Sequence, residues 1–286
     1  MTGPDAGLPA WSAPFATDRR HGLNRTAPFG RLERSWAFGD CLGTGITVAI
    51  VDSGVEGSHP AVGGALRRSV RVDLAGDEAT VHDDEPIDVV GHGTACASII
   101  HALAPAASLL SVRVLGPDNR GKGLAFAAGL EWAIDQGASV INLSLSSRSE
   151  ALFGVFHDLA DRAYFAGALL VCAANNVTGA SYPSLFAAVI SVAAHDVRDP
   201  DVWFYNPAPP VEFGAYGLDV DVAWKGGGRI VATGNSFAAP HIAACAARIR
   251  AAHPTASPAE VKAILAATAD ATTDETADTT GDPSRT

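Results

Sequence analysis

Short apolar runs recur along the middle of this chain, and segments with helical periodicity separate them. The runs ITVAIVD, SLLSVRVL, SVINLSLS, ALLVCAA and AAVISVAA occupy residues 46–52, 108–115, 139–146, 168–174 and 187–194. They are continuous rather than alternating, which is typical of strands that are buried on both faces of a parallel sheet. The five runs therefore predict the strands of a mostly parallel sheet.

The helix-period segments predict five helices, at residues 92–103, 124–137, 150–167, 237–253 and 258–269. The last has a clear start signal, because Ser257 suits the N-cap, Pro258 the first helical position and Glu260 a capping box. Alternating strands and helices predict a three-layer α/β fold, with a mostly parallel sheet and helices on both faces. In such folds, functional sites lie at the carboxyl ends of the strands.

The length and composition suit one sizeable core. The chain has 286 residues, of which 48% are hydrophobic, enough for one domain or at most two. Residues 1–30 are predicted to form an irregular N-terminal arm, and residues 31–269 a single catalytic domain. Residues 270–286 are rich in Thr and Asp with little to bury, so we predict a disordered acidic tail.

Charge and hydropathy restrict the partners. The net charge is −11 and there is no basic run, so no nucleic-acid partner is expected. No stretch of about 18 apolar residues predicts a membrane helix, and we expect no membrane partner. The N-terminus does not resemble a secretory signal, so we predict a cytoplasmic location. The four cysteines lack CxxC spacing and are expected to be reduced. The sequence predicts no particular oligomeric state.

Three polar residues stand at a strand end or a helix start. They are Asp52 in IVDSGV, His92 in GHGTACAS and Ser236 in GNSFAAP. Each alone has a structural interpretation, as a turn Asp, a packed His and an N-cap Ser. Together they supply the nucleophile, the base and the orienting carboxylate that acyl transfer requires. A Ser at a helix N-terminus also gains from the positive end of the helix dipole.

The segments VDSGV, GHGTACAS, AANN and GNSFAAPH resemble the four signature segments of subtilisin-like serine proteases, and the resemblance spans roughly residues 35–268. It implies a serine endopeptidase that works through an acyl-enzyme. Ser236 is then the nucleophile, His92 the general base and acid, and Asp52 the carboxylate that orients His92. Asn176 would donate one hydrogen bond to the oxyanion, beside the backbone N–H of Ser236.

The resemblance also implies a cleft that binds polypeptide in an extended conformation. The substrate backbone would pair, as an added strand, with Asn119, Arg120 and Gly121. The walls of the primary pocket would consist of Ser144, Leu145 and Ser146 and of Ala173, Ala174 and Asn175. Asn235 would stand beside the nucleophile.

The chain departs from the family pattern around this pocket. Asn175 and Ser146 replace glycines, and Asn235 replaces a threonine. Two added polar side chains predict a tighter, more polar primary pocket and restricted specificity. The sequence leaves two roles open, a housekeeping protease and a protease that processes one precursor peptide. Asn235 would place a different donor near the oxyanion. Gly123 stands where the family often has an aromatic residue, which predicts an open upstream subsite.

Metal binding is not expected to assist the reaction. The segment from His92 to Ala104 lacks the insertion of family members that hold a tight calcium ion, so that site is not predicted, although a weaker one stays open. His92 and Cys96 share a helix face, but no third ligand follows at suitable spacing. About 50 residues precede Asp52, which resembles intracellular members without a prodomain. An inhibitory role of the arm over the cleft is a hypothesis.

Two other classes of function compete with the protease. The residues from Gly116 to Gly123 nearly match a phosphate-binding P-loop, but Gly123 replaces the Ser or Thr that a P-loop needs for Mg²⁺. A catalytically impaired peptide-binding module on the same fold is the alternative that the substitutions at Asn175 and Asn235 leave open.

Overall fold

A nine-stranded sheet forms the middle layer of the fold in the computed structural model, which describes residues 8–17, 19, 32–208 and 210–270. Its strands and those of a second, two-stranded sheet are β1 (Thr47–Asp52), β2 (Leu66–Ala75), β3 (Glu78–Asp83), β4 (Ser108–Arg113), β5 (Val140–Leu143), β6 (Leu169–Ala173), β7 (Ile190–His195), β8 (Trp203–Tyr205), β9 (Phe213–Tyr216), β10 (Val220–Trp224) and β11 (Gly228–Ala232). The large sheet has the order β3-β2-β4-β1-β5-β6-β7-β9-β8, and β10 pairs with β11. Its pairs are parallel except for β2 with β3 and β8 with β9.

The α-helices of the described residues are α1 (Arg34–Ala37), α2 (His92–Leu103), α3 (Gly123–Asp135), α4 (Phe153–Phe165), α5 (Asn235–Ala252) and α6 (Pro258–Ala267). The capping box predicted for α6 is present, since Ser257 and Glu260 each accept a hydrogen bond from the other's backbone N–H. No helix in these ranges has the length and apolar character that crossing a membrane requires.

The two faces of the sheet carry separate cores. Alternate side chains of β1 point to opposite faces: Val48 and Ile50 pack towards α2, α5 and α6, whereas Ala49 and Val51 pack towards α3 and α4. This confirms the predicted three-layer α/β fold. The five predicted strands are β1 and β4 to β7, and their parallel pairing brings the carboxyl ends of β1, β5 and β6 to one edge of the sheet.

The described part of the predicted N-terminal arm packs into the domain. Ser12 and Phe15 are fully buried, and a Cβ added to Gly214 would lie 2.5 Å from the Phe15 ring. The ring thus rests directly on the backbone of β9, so this described segment packs against the domain. The boundary at residue 30 stays a prediction. At the other end, Asp270 binds Arg34 and the backbone N–H of Trp203. Residues 1–7, 18, 20–31 and 271–286, which hold the rest of the predicted arm and tail, lie outside the described residues.

Candidate active site

Asp52 and His92 form a buried hydrogen-bonded pair. Asp52 is the last residue of β1 and fully buried, and His92 is the first residue of α2 and 8% exposed. His92 Nδ1 lies 2.8 and 2.9 Å from the two Asp52 carboxylate oxygens. Because a carboxylate accepts hydrogen bonds, Nδ1 carries the proton and Nε2 is left as an acceptor. This is the tautomer that a general base needs.

Asp88 fixes the loop that leads into α2. Its Oδ1 accepts hydrogen bonds from the Ser53 hydroxyl and from the backbone N–H groups of Val90 and Gly91, at 2.7–2.9 Å. Its Oδ2 accepts from the backbone and the hydroxyl of Thr94. A carboxylate at this helix N-terminus satisfies donors that have no intrahelical partner. Asp88 was not among the residues selected from the sequence, although it holds the loop that positions His92.

A close approach between α2 and the end of β1 also positions His92. A Cβ added to Gly93 would lie only 2.0 Å from the carbonyl oxygen of Gly54 and 3.2 Å from the Cβ of Asp52. Glycine is therefore required beside His92 for the two elements to meet. The GHG motif thus has a packing reason as well as a chemical one.

The electrostatics of this pair favour protonation of the imidazole. Burial lowers the pKa of His92, but the charge and hydrogen bond of Asp52 raise it, with a further contribution from the charge of Asp88, and the pKa is raised on balance. His92 therefore takes up a proton more readily than a free imidazole, as a base in acyl transfer must.

Ser236 stands in the first turn of α5, and Cys96 connects it to the Asp52 and His92 pair. The Cys96 sulfur lies 3.9 Å from Asp52 Oδ2 and 3.7 Å from the backbone oxygen of Ser236. The Ser144 hydroxyl donates to that same backbone oxygen at 2.8 Å. Ser236 and His92 both line a single cleft of about 570 Å³. The structure thus brings the three predicted residues together at one edge of the sheet.

Asn176 flanks the Ser236 hydroxyl. Its side-chain oxygen accepts a hydrogen bond from the backbone N–H of Asn235 at 2.9 Å, which fixes the amide and assigns its donor end. A Cβ added to Gly234 would lie 3.3 Å from Ser236 Oγ and 3.5 Å from Asn176 Nδ2. Gly234 therefore leaves open the space that adjoins both the hydroxyl and the amide. Its backbone is extended, so the glycine is needed for this space rather than for an unusual angle.

The side chain of Asn235 points away from this space, contrary to the expectation that it stands near the oxyanion. It is fully buried and does not line the cleft. Its amide donates to the carbonyl oxygens of Ala10 and Ala174, and its oxygen accepts from the Ser12 hydroxyl and the Ala194 N–H. Because successive helix residues point about 100° apart, a Ser236 that faces the cleft turns Asn235 inward.

The remaining predicted substrate-binding residues all line the cleft: Asn119, Arg120, Gly121, Ser144, Leu145, Ser146, Ala173, Ala174 and Asn175. They come from the loop after β4 and from the ends of β5 and β6, which the parallel sheet places side by side. Of the segment that nearly matches a P-loop, residues 119–121 and Gly123 line this cleft. Residues 8–17 do not line it, so the described part of the N-terminal arm does not cover the site.

The structure describes the surroundings of Gly123 and adds one residue to the cleft. A Cβ on Gly123 would lie 2.1 Å from Leu152 Cδ1, so Leu152 packs against this glycine. Gly123 lines the cleft, and the open upstream subsite stays a prediction. Arg148 lines the cleft, although sequence analysis did not select it. The sequence feature that could have indicated Arg148 is its position two residues after Ser146, where the predicted pocket wall ends.

Asp52, His92 and Cys96 also form the one group of metal-ligating side chains found among the described residues, with ligand atoms within 4.8 Å of one another. Sequence spacing indicated no third ligand for His92 and Cys96, and in the structure Asp52 occupies that position. However, His92 Nδ1 is already bonded to the carboxylate, and burial together with the charge of Asp52 raises the pKa of the Cys96 thiol well above its ordinary value. A protonated thiol is a poor metal ligand.

The profile of the subtilase family, Peptidase_S8, matches residues 43–281 of this chain. A thermostable alkaline protease of Halalkalibacterium halodurans is 34% identical over 225 residues, which cover 75% of this chain and 59% of that protein. Thermitase of Thermoactinomyces vulgaris is 31% identical over 245 residues, which cover 82% of each.

Solved structures of subtilisin-like proteinases have a similar fold. A cold-adapted subtilisin-like serine proteinase matches with a TM-score of 0.65 at 26% identity, over 84% of this chain and 87% of that one. Sphericase matches with a TM-score of 0.67 at 26% identity, over 78% of this chain and 82% of that one.

Proposed function

Because this chain belongs to the subtilase family of serine endopeptidases, we propose that it cleaves polypeptides with Asp52, His92 and Ser236 as its catalytic triad. The observation that best supports this assignment is the contact of His92 Nδ1 with both Asp52 oxygens, at 2.8 and 2.9 Å, in a cleft that Ser236 shares. The arrangement leaves Nε2 able to take a proton from a hydroxyl at the cleft.

Acylation begins with the attack of Ser236 on the substrate and ends with an ester on that serine. Ser236 Oγ attacks the carbonyl carbon of the scissile bond while its proton passes to His92 Nε2. The oxyanion that forms accepts hydrogen bonds from Asn176 Nδ2 and from the backbone N–H of Ser236, which lies in the first turn of α5 and has no intrahelical partner. His92 then gives its proton to the leaving amine, the C–N bond breaks, and an ester on Ser236 remains.

Deacylation repeats the sequence with water as the nucleophile. His92 takes a proton from the water, the hydroxide adds to the ester carbonyl, and the same two donors bind the oxyanion. The C–O bond to Ser236 then breaks, and the proton returns from His92 to the serine. Asp52 keeps Nδ1 protonated and stabilises the imidazolium in both steps. Each of these steps is assigned to side chains and backbone groups of the chain itself.

The specificity is restricted in this proposal. The walls of the primary pocket carry the polar side chains of Ser146 and Asn175 in place of the family's glycines, which reduces the room for a large aromatic side chain. Such a pocket suits a protease that acts on few sequences, for example one that processes a precursor peptide. The cytoplasmic location stays a prediction from the sequence.

Labelling with a fluorophosphonate probe tests the triad directly. The wild-type protein should be labelled at Ser236 and should cut a diverse peptide library, with cut sites read by mass spectrometry. Ser236→Ala should lose both properties. Ser149→Ala is the matched control, because Ser149 is exposed and does not line the cleft. A folded wild-type protein that binds extended peptides but is neither labelled nor active would instead be a peptide-binding module.

A further inference from the structure

The charge of the cleft is opposite to that of the chain. The chain has 31 acidic and 20 basic residues and a net charge of −11. The cleft is nevertheless lined by Arg120 and Arg148, and no carboxylate of the described residues is among its lining groups. A bound peptide therefore meets a locally cationic surface on a protein that is otherwise acidic.

No described carboxylate pairs with either of these two guanidinium groups. Other arginines bind carboxylates, as Arg68 binds Asp83 at 2.8 Å and Arg113 binds Asp84 at 2.7 Å. Within the described residues, Arg120 and Arg148 form no salt bridge. Both side chains are exposed, so their charges are available to a ligand.

Arg148 connects the two walls of the primary pocket. Ser147 and Tyr182 pair through both backbone hydrogen bonds, each 2.8 Å long, and this holds the first wall beside the segment that follows Asn176. The Nη2 atom of Arg148 lies 3.4 Å from the point that a Cβ of Gly179 would occupy. The guanidinium therefore extends from the first wall to the continuation of the second. Ser146 and Ser147, which carry hydroxyl groups, line the same cleft.

We infer that Arg148 selects Asp or Glu as the residue immediately before the scissile bond, with Arg120 favouring a further acidic residue upstream. A guanidinium binds a carboxylate through two parallel N–H···O bonds, and the serine hydroxyls offer further donors. An apolar side chain would make none of these bonds. The inference rests on the proposed function, because it concerns the same cleft and the same cleavage.

Matched peptides isolate the charge from the shape of the side chain. Three quenched fluorescent peptides would be identical except for Glu, Gln or Lys before the scissile bond, and kcat/KM would be measured for each at low ionic strength. The wild-type enzyme should prefer Glu over Gln by about tenfold, the effect of a charge-assisted hydrogen bond at an exposed site. The preference should decrease as salt is added.

Two substitutions of Arg148 and one control assign the effect. Arg148→Gln should bring the ratio of Glu to Gln close to one, and Arg148→Glu should make Lys the preferred residue. Lys122→Gln removes one charge from the same face of the molecule, but Lys122 does not line the cleft, so the ratio should be unchanged. Fluorophosphonate labelling of every variant reports whether the site is assembled.

The possible outcomes separate the inference from the proposed function. A wild-type enzyme that cuts the Gln peptide at least as fast as the Glu peptide would overturn the inference alone. The same holds if Arg148→Gln is labelled and keeps the full preference for Glu. If the folded wild-type protein cuts no peptide and is not labelled, the proposed function fails and the inference fails with it.

Discussion

Replacing Asn235 by Ala should greatly destabilise the protein, because its side chain connects three parts of the fold. The amide is fully buried and makes four hydrogen bonds, to Ala10 and Ser12 of the N-terminal segment, to Ala174 after β6 and to Ala194 in β7. Truncation to Ala removes all four at once. It also leaves the Ala174 carbonyl and the Ala194 N–H without that partner in the interior.

The expected size follows from these bonds. A hydrogen bond within a protein contributes about 1 kcal/mol net, and an unsatisfied buried group costs about 1–3 kcal/mol. Water can reach the part-buried bond to Ala10, so that bond contributes less. The free energy of unfolding should therefore fall by about 3–4 kcal/mol, a large part of the roughly 5–15 kcal/mol that is typical of a domain.

Urea unfolding followed by circular dichroism measures this change. Asn175→Ala is the matched control, because it removes the same amide group from the loop that follows β6. There the substitution removes one hydrogen bond, from the Val177 N–H, at a site that solvent can reach. We expect this control to lose less than about 1 kcal/mol. If Asn235→Ala unfolds within 1 kcal/mol of the wild type, the four bonds do not stabilise the fold as argued.

Three further results are expected. Asn176→Ala should lower kcat about a hundred- to a thousandfold, because one oxyanion donor is lost, and a loss below about tenfold in steady-state assays would contradict that role. Activity depends on neutral His92, so kcat/KM falls as pH drops through its raised pKa. Asp52→Asn removes the charge that raises this pKa, so the acidic limb should move to lower pH, with kcat reduced about ten-thousandfold; a limb that stays in place would count against the pairing. Burial lowers the pKa of His241 to about 4, so the unfolded chain binds a proton that the folded chain does not between about pH 6.5 and 4. The free energy of unfolding should therefore decrease as pH falls from 6.5 to about 4, by up to roughly 3 kcal/mol. In urea unfolding, the free energy of unfolding of His241→Gln should depend less on pH over that range.

The sequence predicts the interior of the sheet well and its edges poorly. β1 and β4 to β7 are continuous apolar runs, and their buried residues produce that pattern directly. β3 and β11 are mostly exposed and carry polar or mixed residues, so no apolar pattern marks them. Their strand conformation depends on pairing with β2 and β10, a tertiary property that local sequence does not contain.

The candidate site divides in the same way. Asp52, His92 and Ser236 could be selected because each stands at a predicted strand end or helix start, and because their segments resemble a known family. Asp88 could not, since in sequence it ends an acidic stretch. Its burial to 8% exposure and its five hydrogen-bond donors become visible only when the loop folds over Ser53 and Thr94.

Asn235 shows that a correct family resemblance can still predict the wrong direction for a side chain. Its neighbour Ser236 faces the cleft, and the turn of about 100° between successive helix residues then directs Asn235 into the interior. There the N-terminal segment supplies Ala10 and Ser12 as partners. Those partners lie more than 220 positions away in the chain, so no local pattern could have identified them.

The groups to which we assign the chemistry and those to which we assign the selectivity lie in different physical environments. Asp52, His92 and Asp88 are almost fully buried and bonded to one another or to backbone N–H groups, so salt screens their interactions little. Arg120 and Arg148 are exposed on loops that follow the strands, where a charge acts through solvent within about 8 Å at physiological ionic strength. Added salt should therefore reduce discrimination between peptides before it reduces turnover of a neutral peptide. Residues on these loops can be substituted, as at Ser146 and Asn175, without displacing the buried Asp52, His92 and Asp88 at the sheet edge.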